Sequence, residues 1–123
     1  MARKYLPSLP LCLLLLCFSF FKTAMINDFT QHIGVLSVSI HIPAAQSLKQ
    51  KRFVLKSLKD KVRNKFNVSV AELDGQDKWQ VATLGFCMIN NDHRHIDSCL
   101  QNILSSLYHF GGLEVCDHSI DFY

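Results

Sequence analysis

The chain has 123 residues, 49% of them hydrophobic, and a formal net charge of +3. That length admits no more than one domain, with enough chain to bury a core. Arg3, Lys4 and Lys22 supply the whole excess of positive charge, and from Met25 onward ten basic residues balance ten acidic ones. This balance excludes a uniformly basic polyanion binder and leaves room only for a localised charge contact.

The first 24 residues form an apolar leader. Arg3 and Lys4 precede an apolar run, Leu11–Phe21, in the manner of a secretion signal. Cleavage after Ala24 would place Lys22 where a small residue is needed, and Leu13–Cys17 lacks the small residue that a lipoprotein site wants before its cysteine. The run is also shorter than the roughly 20 residues that span a bilayer. Two readings stay open: a membrane anchor through residues 5–21, or an upstream extension of a frame that starts at Met25. The second is preferred, because the domain at 25–123 has the character of a cytoplasmic protein. Membrane contact is expected only if the leader is retained.

His32–Ile42 alternates with period two and is rich in Val and Ile, which predicts a strand. Leu36, Val38, Ile40 and Ile42 share one face, and Val35, Ser37, Ser39 and His41 the other. Pro43 ends it. Ser47 and Gln50 form a capping-box pattern that starts a helix over Leu48–Phe66. Wound at about 100° per residue, the helix gathers Leu48, Val54, Leu55, Leu58, Val62 and Phe66 into a core-facing stripe. Lys49, Arg52, Lys56, Lys59 and Arg63 then line up at spacings of 3 and 4, one continuous row of positive charge. The window carries +7, and everything after Phe66 carries −6.

Asn67–Leu73 returns to strand character. Asp74-Gly75 supplies a turn into Trp79–Ile89, so the two strands form a hairpin. Asn91 or Asp92 caps a second helix whose Ile96, Cys99, Leu100, Ile103, Leu104 and Leu107 follow the helical period. Gly111-Gly112 stops it, and Leu113–Phe122 is the last strand. The order β-α-β-β-α-β predicts an α+β ferredoxin-like sandwich. Two helices would lie on one face of a four-stranded antiparallel sheet, with the first and third strands central.

Two long runs in this domain resemble the YlxP-like family, small bacterial proteins grouped under a domain of unknown function. They are SLKQKRFVLKSLKDKVRNKFNVSVAE at 47–72 and QDKWQVATLG at 76–85, joined by the Asn91-Asp92 pair before the second helix. The resemblance covers about Ile33 to Asp121. It implies the ferredoxin-like fold, a cytoplasmic location and a start near Met25. Genes of that family commonly lie among those for translation initiation and ribosome maturation, which implies a translation-linked role. No catalytic residues are established for the family, so none carry over.

The basic row is the leading candidate site. Lys and Arg in such a row neutralise phosphates without reading sequence, and Phe53, off the core stripe beside Lys49, offers a face for stacking on an unpaired base. The expected nucleic-acid-binding set is Lys49, Arg52, Phe53, Lys56, Lys59 and Arg63. A solvated helix face or a protein contact are the competing readings.

The third strand is apolar on both sides: Ala82, Leu84, Phe86 and Met88 on one, Trp79, Val81, Cys87 and Ile89 on the other. The side turned from the helices would form a large apolar patch that needs a cover, so a homodimer through Trp79, Val81, Cys87 and Ile89 is expected. An RNA-recognition-motif platform is disfavoured, since Leu84–Ile89 lacks the leading base and second aromatic of that signature.

Cys87, Cys99 and Cys116 are odd in number and form no CxxC pair, which reads as buried free thiols in a reducing compartment. His93 and His95 point apart on their helix, and the other histidines have no ligand spacing to a cysteine, so no metal or cofactor is expected. With no Ser-His-Asp order, Walker loop or G-x-G-x-x-G, the expectation is a non-enzymatic RNA- or ribosome-associated factor docking through residues 48–66. The alternative is a dimeric scaffold or regulatory module binding a protein or small ligand on its open sheet face.

Overall fold

Alternating apolar residues, a capped basic helix and two glycine turns build the order read from the sequence. The computed structural model describes residues 29–123; the expectations for the leader and for Met25 lie outside them. The elements are β1 (His32–His41), α1 (Leu48–Lys65), β2 (Ser69–Asp74), β3 (Val81–Asn90), α2 (His93–Tyr108) and β4 (Glu114–Phe122). The four strands form one antiparallel sheet in the order β2-β3-β1-β4, with β3 and β1 central. With α1 packed on β2 and α2 on β1, β3 and β4, the architecture is the ferredoxin-like α+β arrangement.

The period-two pattern decides which face of the sheet is covered. Leu36, Val38 and Ile40 of β1 are fully buried, as are Leu84 and Phe86 of β3, with Ala82 and Met88 close behind. They meet Leu55, Leu58 and Val62 of α1 and Ile96, Leu100, Ile103 and Leu107 of α2 in one cluster. A sheet with helices on one side needs one apolar face and one face that tolerates water, and β1 supplies both.

Local chemistry sets the ends of the elements. Ser47 Oγ accepts the Gln50 N–H at 3.2 Å, capping α1. The Gln50 carboxamide oxygen reaches back to the Gln46 N–H at 2.7 Å, one residue earlier than in an ideal capping box. Asp92, not Asn91, caps α2, its Oδ1 accepting the Arg94 N–H at 3.0 Å.

Two boundaries shift from expectation for a visible reason. β3 begins at Val81 rather than Trp79, opposite His41, the last residue of β1 before Pro43. Gln80 instead ties the connecting segments together: its Nε2 donates to Pro43 O at 3.1 Å and Ala45 O at 3.2 Å. β2 runs Ser69–Asp74 rather than Asn67–Leu73, since Asn67 and Val68 serve to leave the helix.

The cysteine expectation needs correction. Cys87 and Cys99 are half-buried and Cys116 is exposed. Cys116 falls at the irregularity where β4 shifts register against Ser39/Ile40, and an extra residue on an edge strand bulges out of the ladder.

Gly34 marks the closest approach of α2 to the sheet. An added Cβ would overlap Ile96 Cγ2 and stand 3.0 Å from Leu100 Cδ1. Gly34→Ala is therefore expected to destabilise the fold by about 1–3 kcal/mol through overpacking, read as a lower urea midpoint at unchanged m-value.

Candidate functional site

A charged side chain sits in the middle of the apolar stripe of α1. Lys51 is 1% exposed, the one charged residue in the core among the described residues. Its ammonium lies 2.8 Å from Glu72 Oε1 on β2 and donates a hydrogen bond to the Gly75 carbonyl in the turn after β2. Glu72 Oε1 receives no aligned hydrogen bond of its own, so the pair is held by charge while the directed bond goes to the backbone. Gly75 has φ of +84°, and a Cβ there would stand 2.9 Å from Val81 O. Glycine is thus what lets the chain present that carbonyl. The helical wheel carries the signal for this lysine: Lys51 lies three and four residues from Val54, Leu55 and Leu48, at the centre of the stripe.

With Lys51 turned inward, four other cations of α1 face out beside β2. Arg52, Lys56, Lys59 and Arg63 line one open groove of about 310 Å³, together with Leu55, Asp60 and Glu72. Because Lys51 compensates Glu72, Asp60 is the only uncompensated carboxylate lining it. Arg63 also reaches the outer edge of the sheet, its Nη2 donating to Val70 O at 3.3 Å. That bond satisfies one carbonyl of an edge strand that would otherwise be open to pairing.

Lys49 and Phe53 lie elsewhere. They line a second depression of about 620 Å³ with Ile42, Ala44, Ala45, Ser47, Gln50, Val54 and Gly112, at the N-terminal end of α1. Phe53 is 76% exposed there. The six residues expected to act together are therefore divided between a charged groove and an apolar pocket that share one helix.

The second candidate set, Trp79, Val81, Cys87 and Ile89, lies on the side turned from the helices, with Ile89 60% exposed and Trp79 55%. Its members line two depressions. Cys87 and Ile89 line a depression with Ile33 and Val68 at one end of the sheet, and Trp79 and Val81 line another with His41 at the opposite end. Between them the register brings Ser37 and Ser39 of β1 beside Gly85 and Thr83 of β3. The Leu73 side chain lies over Gly85, within 2.8 Å of where its Cβ would be.

Among the described residues no three His, Cys, Asp or Glu side chains converge as a metal site, and no helix is long and apolar enough to cross a membrane. His95 Nε2 stands 3.6 Å from Cys99 Sγ one turn along α2, without a third group to make the pair a ligand set or an activated nucleophile.

The Lys51 contact is open to a direct test. Lys51→Met removes the counter-charge of Glu72 and should cost about 3 kcal/mol in urea unfolding, the scale for breaking a buried pair. The double variant Lys51→Met/Glu72→Met should recover most of that loss.

Comparison with known proteins agrees with the motifs. Residues 33–120 match the family described as "Protein of unknown function (DUF503)". The "Uncharacterized protein YlxP" of Bacillus subtilis (strain 168) is 37% identical over 82 residues, covering 67% of this chain and 89% of that protein. Among solved structures, "De novo designed protein Foldit4" overlays with a TM-score of 0.47 at 13% identity, covering 76% of this chain and 96% of that one. The match over nearly all of the folded region, with the curated relative beside it, makes the chain a member of the DUF503, YlxP-like family.

Proposed function

We propose that this protein is a non-enzymatic factor that docks on RNA, in the setting of translation, through the groove between α1 and the outer edge of β2. The observation that carries this reading is the confinement of four cations, Arg52, Lys56, Lys59 and Arg63, to one open groove with a single uncompensated acid. Ordinary surface helices mix signs, and their ion pairs neutralise one another. Here one of the two carboxylates that line the groove, Glu72, is already taken by Lys51, so the row keeps most of its positive potential. Side chains of this kind fix a phosphate backbone in place without selecting its sequence.

Exposure on the open sheet favours a second reading, a dimeric scaffold or regulatory module that uses Ile89 and its neighbours.

The test is crosslinking and pulldown of the full chain from cells, with and without nuclease. Arg52→Ala/Lys56→Ala/Lys59→Ala leaves the Arg63–Val70 bond in place and should fold normally. Nuclease-sensitive RNA recovered with this variant should fall at least tenfold. Unchanged recovery would rule the groove out as the docking site.

A further inference from the structure

We infer that the pocket at the N-terminal end of α1 holds one unpaired nucleobase of the docked RNA, stacked on Phe53, so that the preferred RNA is a single-stranded loop or bulge rather than a duplex. This rests on the phosphate-docking reading of the basic row and names the class of RNA that the row serves.

Three features of the pocket point to a base. Its wall is an aromatic ring held in the open: Phe53 is 76% exposed on a helix that has an apolar stripe elsewhere to accept it. Every base presents a π-face that such a ring can take, whatever its sequence. The rest of the lining is apolar and small, from Ile42, Ala44, Ala45, Val54 and Gly112, and its volume of about 620 Å³ falls in the range of ligand pockets.

The polar rim is the second feature. The lining has no carboxylate; its polar side chains are Ser47, Lys49 and Gln50. Ser47 Oγ and the Gln50 carboxamide oxygen already accept backbone N–H groups in the helix cap. What remains for a ligand is a set of donors, the Lys49 ammonium and the Gln50 amide NH₂. Base edges carry carbonyl oxygens and ring nitrogens that accept from such donors.

Continuity is the third. Lys49 lines the pocket and stands seven residues, two turns, before Lys56 of the groove on the same helix. Phe53 stands four residues after Lys49 and three before Lys56, so all three lie within two turns of one helix. A strand with its phosphates on Lys49 and Lys56 brings a base to Phe53. Paired bases are stacked inside a duplex and cannot enter.

The experiment measures binding of the full chain to two labelled RNAs with equal numbers of phosphates, a hairpin with an open loop and a fully paired duplex, at one salt concentration. The hairpin should bind about tenfold more tightly. Phe53→Ala should remove that preference, weakening hairpin binding on the order of tenfold and leaving the duplex unchanged, while Phe53→Trp retains it. If Phe53→Ala changes neither affinity, the base pocket is wrong and the phosphate row stands. If the wild-type chain binds neither RNA, the row falls and the pocket with it. A Phe53→Ala chain that loses self-association in sedimentation, with RNA affinities intact, would give the pocket to a second copy and overturn the inference.

Discussion

The arrangement of this protein depends on one ammonium group. Lys51 is anchored in the centre of the face that α1 presents to the sheet, and there it meets both Glu72 on β2 and the carbonyl of Gly75. Leucines alone would let an amphipathic helix roll by some tens of degrees, since dispersion and burial are nearly non-directional. A buried cation has no such freedom: away from its partners it would sit uncompensated in the core, at a cost of several kcal/mol. Fixing Lys51 therefore fixes the rotation of α1. The rotation in turn decides that Arg52, Lys56, Lys59 and Arg63 look outward along β2, and that Phe53 looks toward the β1–α1 connection.

The same contact shapes the charge of the surface. α1 is the positive pole of a domain with no net charge from Met25 onward. The acids lie mostly in the second half of the chain, and Glu114, Asp117 and Asp121 fall on β4, at the opposite edge of the sheet from β2. One edge of the sheet is thus bordered by cations and the other by carboxylates. Pairing Glu72 internally removes one of the two acids that line the positive groove and leaves only Asp60 to blunt it. A dipolar surface of this kind orients an anionic partner as it approaches and discourages contact elsewhere on the molecule.

Much of this was legible in the sequence, and the parts that were not share a cause. The element order, the Ser47 cap, the Gly75 turn, the covered face of β1 and the central places of β1 and β3 all follow from patterns within one segment. The make-up of the open face does not, because it depends on which β1 residue lies beside which β3 residue. Ser37 lies opposite Gly85 and Ser39 opposite Thr83, with the Leu73 side chain over Gly85. The partners of Lys51 were hidden for the same reason, being more than 20 residues away on β2 and its turn. Its position was nevertheless written in the wheel: a lysine centred among Leu55, Leu58 and Val62 has no solvent to reach, and must have a partner. The split between the groove and the Phe53 pocket likewise needed β2 and Gly112 to be placed before the two sides of α1 acquired different neighbours.

The central claim is that the outward cations of α1 act together on a phosphate backbone. Its most direct measure is the slope of log affinity against log salt concentration for the full chain on a single-stranded RNA. Each neutralised phosphate on a single strand contributes a slope of about −0.7, so four engaged cations predict a value near −3. Neutralising Lys56 alone should make it shallower by about 0.7. A slope near zero, or one that the Lys56 variant leaves unchanged, would contradict the account.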